Sequence, residues 1–167
     1  GSFTGLRIGS ATAKGLGLAL DKPLVGIPTV EALAYNLYDV KGLICPIMDA
    51  RRKQVYTGIY RYEDHRLMTV KDQMAVGIEE LLSMLNEMGE AVTFLGDGVP
   101  VFKDIIADKL TVPFSFAPAH LSRQRAGAVG ALGVLYYKEG RTETAAEHKP
   151  DYLRVSQAER ERAQKLK

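Results

Sequence analysis

The chain has 167 residues, 46% hydrophobic and 25% charged, the mix of an ordinary globular protein of one domain or two small lobes. A disordered chain, a collagen-like repeat and a coiled coil are excluded. Basic residues number 22 and acidic residues 20, a net charge of +2, so any nucleic-acid contact is expected to be local or shared with a partner rather than spread over the whole surface. The single cysteine, Cys45, excludes an internal disulfide and fits a reducing cytoplasm. No run reaches about 18 apolar residues, so no membrane span and no membrane partner is read.

The first predicted element is a helix from about Phe3 to Leu20, with Ser2 or Thr4 as its cap. Gly5, Gly9, Ala13 and Gly17 recur at i, i+4 and form one ridge of small residues. Each glycine costs up to about 1 kcal/mol relative to alanine in a helix interior, so the ridge suggests a close approach to the backbone. Arg7, Ser10 and Lys14 lie along another, polar face. Pro23 stops the helix, and Leu24–Ile27 reads as a short strand or link. A second helix is expected from Val30 to Tyr38 with Thr29 as N-cap.

The period changes at Gly42. Leu43–Met48 is a continuous apolar run, the mark of a strand buried on both faces. Gln54–Tyr62 alternates, with Val55, Thr57 and Ile59 on one side and Tyr56, Gly58, Tyr60 and Tyr62 on the other. Asp49-Ala50-Arg51-Arg52-Lys53 joins them as a polar hairpin tip. His65–Val70 is a third strand and Gly77–Met88 a helix with Ile78, Leu81, Leu82, Leu85 and Met88 facing in. A strand at Ala91–Leu95, a Gly96-Asp97-Gly98 turn, a helix at Val101–Leu110 and a strand at Val112–Phe116 follow. Ser122 is expected to cap a last helix through about Tyr137, again rich in small residues. Three meander strands followed by strand–helix alternation predict an α/β fold, a mixed sheet with flanking helices.

Few residues offer catalysis. His65, His120 and His148 are scattered, without the short spacings that converge ligands on a metal. Cys45 lies inside an apolar strand, where a thiol is inert. Ser2 lacks a nucleophile elbow. No catalytic residue, metal site or cofactor is read.

Several stretches carry a resemblance. Gly1-Ser2-Phe3-Thr4-Gly5-Leu6-Arg7-Ile8-Gly9 with Ala13-Lys14-Gly15-Leu16 resembles the signature of the TsaB (YeaZ) family. Ile27-Pro28-Thr29-Val30-Glu31-Ala32-Leu33-Ala34, Ile47-Met48-Asp49-Ala50-Arg51-Arg52-Lys53-Gln54-Val55-Tyr56 and Pro150-Asp151-Tyr152-Leu153-Arg154 continue it in order. The resemblance implies the actin-like ATPase (ribonuclease H-like) fold. Residues 1–41 would be a helical remainder of an incomplete N-terminal lobe, 42–154 the C-terminal lobe and 155–167 a charged, solubilising tail. In the family Gly1-Ser2 is preceded by Gly-Pro, so the opening strands are expected to be absent here.

The family's role implies a cytoplasmic, non-catalytic scaffold of the complex that makes N6-threonylcarbamoyladenosine beside the anticodon of tRNAs reading codons that start with adenosine. Implied partners are a TsaD-like catalytic subunit, a TsaE-like ATPase, a second copy of the chain when the partner is absent, and tRNA indirectly through the complex. The alternative is a glycoprotease-like peptidase. The implied partner interface is Gly5, Arg7, Ile8, Gly9, Thr12, Ala13 and Lys14. Arg51, Arg52 and Lys53 are candidate phosphate or RNA contacts. Asp49 stands at the superfamily's phosphate hairpin, but Arg51 occupies a place where a small residue is wanted, and its Cβ should obstruct the backbone's approach to phosphates. Gly96-Asp97-Gly98 resembles the superfamily's adenosine-side turn.

Overall fold

A computed structural model describes residues 3–153; Ser2, Arg154 and the charged segment 155–167 lie outside the described residues. The chain divides into two units, Gly1–Gly26 with Arg141–Lys167, and Ile27–Gly140.

The second unit is built on a five-stranded sheet. Its strands are β1 (Leu43–Asp49), β2 (Gln54–Glu63), β3 (Arg66–Gly77), β4 (Val92–Leu95) and β5 (Phe114–Phe116), in the order β3-β2-β1-β4-β5. The first three are sequential antiparallel neighbours, as the meander pattern predicted, and β4 and β5 add in parallel. The hairpin tip falls within Asp49–Lys53 as expected.

The apolar run of β1 is buried on both faces. Leu43, Cys45 and Ile47 join Val55 and Ile59 of β2 in one core cluster, under α3 (Ile78–Met88) and α4 (Val99–Lys109). Ile44 and Tyr60 point the other way, into a second cluster with Val30, Leu33, Ala34 and Leu37. The period-2 alternation of β2 thus sorts its side chains between two cores. The register that pairs Ile44 with Tyr60 and Ile47 with Thr57 sets Pro46 beside Gly58. Pro46 has no N–H to give the ladder; on its other side β2 shifts register against β3 between Thr57 and Tyr60.

Several boundaries differ from the sequence reading. Helix α2 is Thr29–Ala34, with Pro28 rather than Thr29 at the cap and no side-chain capping bond. Pro28 keeps a non-helical ψ of 130°, and its carbonyl accepts the first helical bond, from the Ala32 N–H at 3.0 Å. The chain then turns through residues 35–39, ending at Asp39 in the left-handed region. Strand β3 starts one residue later than read and continues through Val70 to Gly77 because β2 supplies a partner along that length; Gly77 then caps α3. Helix α5 is Ala126–Lys138, capped at Arg125. Ser122 instead closes a 3-10 turn at Ala119–Leu121, its hydroxyl donating to the carbonyls of Ala117 and Pro118. In α5 only Leu132 and Tyr136 are buried.

In the first unit, α1 is Phe3–Leu20. Leu24 pairs with Glu143 as an isolated antiparallel bridge, and Lys22 N–H donates to the Gly17 carbonyl beyond the helix end.

Candidate functional site

The residues proposed from sequence fall into two groups, one in each unit. Those of the partner face lie on α1. Gly5, Ile8, Gly9 and Thr12 are exposed, Ile8 at 62%. Thr12 Oγ1 donates back to the Ile8 carbonyl at 2.9 Å, the usual way a mid-helix threonine satisfies its hydroxyl. Arg7 Nε donates to the Tyr152 hydroxyl at 3.3 Å. Ala13 and Lys14 are half-buried. Lys14 Nζ donates to the carbonyls of His148 at 2.9 Å and Ala146 at 3.3 Å. The ammonium is therefore a tie to the 143–148 segment.

That segment carries its own order. Thr144 and Glu147 form a reciprocal box: Thr144 N–H and Oγ1 donate to the Glu147 carboxylate, and Glu147 N–H donates to Thr144 Oγ1. These bonds hold the Glu147 carboxyl below the usual range. His148 Nδ1 lies 2.6 Å from Glu143 Oε1.

The ridge of small residues is not uniform. A Cβ at Gly17 would lie 3.1 Å from Ala145 Cβ and from the Lys22 carbonyl oxygen. At Gly9 it would meet nothing within 4 Å. Packing among the described residues accounts for Gly17 and not for Gly9.

The second group is the hairpin tip. Arg51, Arg52 and Lys53 all have positive φ, at 65°, 55° and 57°. That region favours glycine, so the tip holds three long side chains in a backbone conformation they rarely adopt. Asp49 Oδ1 accepts the Arg51 N–H at 2.8 Å, and Asp97 Oδ1 accepts the Asp49 N–H at 3.2 Å. The Arg51 side chain is 87% exposed, its guanidinium 3.8 Å from Asp49. The turn is closed by Gln54 N–H to the Arg51 carbonyl at 3.0 Å, and Lys53 gives its carbonyl to the Ile78 N–H at 3.0 Å. Gly96, at φ 111°, and Gly98 press against the Ile47 carbonyl, which accepts the Gly98 N–H at 3.0 Å. Close packing of the β4–α4 turn on β1 therefore explains both glycines.

Cys45 is fully buried, and burial pushes its thiol up to about 12, far from the depressed value of a nucleophile. His65 lies 3.0 Å from Asp39 and His120 is exposed, and among the described residues no group of three or more His, Cys, Asp or Glu is placed to hold a metal.

Sequence reasoning missed a buried carboxylate. Glu31 of α2 is 7% exposed and accepts a hydrogen bond from the Tyr136 hydroxyl of α5. The signal was its place within the apolar stretch Val30–Ala34. Asn36 was missed too: its Nδ2 donates to the carbonyls of Leu121 and Arg123, at 2.9 and 2.8 Å.

The profile of the TsaD family, tRNA N6-adenosine threonylcarbamoyltransferase, matches residues 1–162. The chain is 38% identical over 159 residues to the tRNA threonylcarbamoyladenosine biosynthesis protein TsaB of Bacillus subtilis (strain 168), covering 95% of this chain and 68% of that relative. It is 27% identical over 158 residues to TsaB of Escherichia coli (strain K12), covering 92% and 67%. Among solved structures, YeaZ from Pseudomonas aeruginosa matches with a TM-score of 0.70 at 19% identity, over 91% of this chain and 70% of that one. A second Pseudomonas aeruginosa structure, of an uncharacterized protein with similarity to peptidase YEAZ, matches with the same TM-score over 92% and 69%. At this identity the structures speak for the fold alone.

Proposed function

Since the chain belongs to the TsaB (YeaZ) family, within the reach of the TsaD family profile, we propose that it is a non-catalytic subunit in the biosynthesis of threonylcarbamoyladenosine in tRNA. The fold is the actin-like, ribonuclease H-like one. The subunit acts by pairing with a TsaD-like catalytic subunit. The contact is the N-terminal half of α1: Gly5, Ile8, Gly9 and Thr12 form the face, while Arg7, Ala13 and Lys14 flank and brace it. A TsaE-like ATPase joins the pair, tRNA is met through the complex, and a second copy of the chain takes the same face when the partner is absent. The compartment is the cytoplasm; no helix among the described residues is long and apolar enough to cross a membrane. Residues 42–154 serve as the C-terminal lobe of the two-lobed fold.

Gly9 carries this reading of the interface. It weakens the helix, a Cβ there would meet no neighbour within 4 Å among the described residues, and a helix packing across it could approach most closely there. The peptidase alternative has no observation in its favour, and the only thiol is buried.

The test is reconstitution. Purified chain is mixed with a TsaD-family partner, the adenylate-forming enzyme, ATP, threonine, bicarbonate and tRNA, and nucleosides are separated by chromatography. Modified base should form only with the partner present, and a complex of the two should elute together on size exclusion. Modified base without the partner would overturn the non-catalytic assignment. Failure to form the complex would overturn the pairing.

A further inference from the structure

Strands β1, β4 and β5 are parallel, so their C-terminal ends open on one edge of the sheet. From β1 the chain enters the basic tip Arg51-Arg52-Lys53. From β5 it enters the loop 117–125, which carries Arg123 and Arg125. No Asp or Glu occurs between Asp108 and Glu139, so this loop adds positive charge without its own counterions.

Two contacts hold the loop at that edge. Gln124 Nε2 reaches Met48 Sδ at 3.5 Å, one residue before Asp49. Asn36 clamps the backbone on the other side through the carbonyls of Leu121 and Arg123. The Arg125 guanidinium donates to the His120 carbonyl, closing the loop on itself. All five cations are exposed. Two acids, Asp49 and Asp97, share the edge, and each accepts a backbone N–H.

We propose that Arg51, Arg52, Lys53, Arg123 and Arg125 form one surface that binds the sugar–phosphate backbone of RNA. Four of the five are arginines, whose planar fork suits phosphate oxygens. The cations come from two loops joined through the Gln124–Met48 contact, and five charges spread over two loops suit an extended polyanion better than a single small anion. Both loops are held by backbone hydrogen bonds, so little is ordered on binding. The choice of RNA over another polyanion rests on the proposed role in tRNA modification.

The test uses the full chain and an unmodified tRNA transcript that reads a codon starting with adenosine, followed by fluorescence anisotropy. With five phosphate contacts, affinity should fall about a hundredfold between about 50 and about 200 mM salt. The double variant Arg52→Gln/Arg125→Gln should reduce that fall to about twentyfold. Arg125→Lys keeps the charge and should keep the steep dependence, which a purely structural role for Arg125 would not. Arg66→Gln, at the opposite end of the sheet beside Glu63, should change nothing. If the Arg125 variants do not fold by circular dichroism, Arg123→Gln with Arg52→Gln carries the same expectation.

A double variant with the parent's salt dependence overturns the proposal. So does a variant that keeps its tRNA affinity but loses a TsaD-family partner, which would assign the edge to an acidic protein surface. If the chain supports modification while all charge variants bind tRNA like the parent, only this surface fails. If it neither pairs nor supports modification, the family-based role fails whatever the RNA affinity.

Discussion

Along α1, one spacing of small residues has two outcomes. At Gly17 a side chain has no room: Ala145 and the Lys22 carbonyl stand 3.1 Å from where its Cβ would be, and Leu24 stands at 3.3 Å. At Gly9, two turns earlier, the same atom would meet nothing within 4 Å. The first glycine is explained by packing inside its own unit. The second lowers helix stability by about 0.5–1 kcal/mol relative to alanine, with no neighbour among the described residues that requires it. A ridge that reads as one feature in sequence is therefore two: a packed C-terminal half, and an N-terminal half whose small residue looks outward. The large side chains beside them do not differ, Ile8 and Leu18 both being above 60% exposed, but the glycines do: Gly17 is buried and Gly9 exposed.

The scale for that comparison is set by a glycine the fold plainly requires. Gly96 has φ 111°, and a Cβ there would run into the Ile47 carbonyl. Gly96→Ala combines a backbone strain of about 1–2 kcal/mol with an overpacking cost of about 1–3 kcal/mol. Urea denaturation should show a loss of about 3 kcal/mol, the largest of the set. A fully stable Gly96→Ala would break the use of Cβ room as a criterion at every glycine.

Gly17→Leu should destabilise the chain by about 1–3 kcal/mol, whereas Gly9→Leu should leave it as stable as the parent or up to about 0.8 kcal/mol more stable, leucine being a far better helix former than glycine. Binding should reverse the order: calorimetry against a TsaD-family partner should find Gly9→Leu weakened tenfold or more, about 1.4 kcal/mol. Equal loss of stability at both positions would make the ridge a single packing feature. Undiminished affinity of a folded Gly9→Leu would remove the interface from this face.

How much of this was legible in the residues depends on what each signal measures. The sheet was legible because alternation in β2 and the apolar run of β1 report burial directly, and burial decides both faces of a strand. The far half of β3 was not: Lys71, Asp72 and Gln73 are polar on an outer strand, and only pairing with β2 reveals that they continue it. Caps were misread where two candidates competed. Ser122 has the right chemistry for an N-cap, but its hydroxyl is spent on the 3-10 turn preceding α5. The basic tip was legible, whereas its neighbours Arg123 and Arg125 were not, because parallel strands bring together ends that lie about 70 residues apart in sequence. Glycine spacing located the ridge of α1 but not the neighbours that make Gly17 and Gly9 differ.

Lys14 sharpens the comparison from the flank. As a rim charge it would steer association, and its removal would slow binding in a salt-dependent way. Its ammonium is instead bonded to the carbonyls of Ala146 and His148. Lys14→Met should therefore lower stability by about 1 kcal/mol, the lower end for charge-assisted bonds in a half-exposed site. Hydrogen exchange should quicken in the 143–148 segment, while the association rate and its salt dependence stay near the parent's. A slower, salt-sensitive association with unchanged exchange would return Lys14 to the rim.

The smallest effect is the most discriminating. Gly9→Ala adds one methyl group where 4 Å around it is empty. Alanine is the better helix former by about 0.8–1.0 kcal/mol in an exposed helix interior, and it restricts the unfolded chain more than glycine does. The variant should thus be more stable than the parent by about 0.5–1 kcal/mol in urea denaturation. A methyl group is also far smaller than the leucine side chain, so affinity for a TsaD-family partner should fall less than for Gly9→Leu. A chain that gains stability and loses some affinity on the same substitution is one in which glycine is kept for a contact outside the unit. A chain that loses stability has an internal neighbour at Gly9, and the two halves of α1 would then be alike.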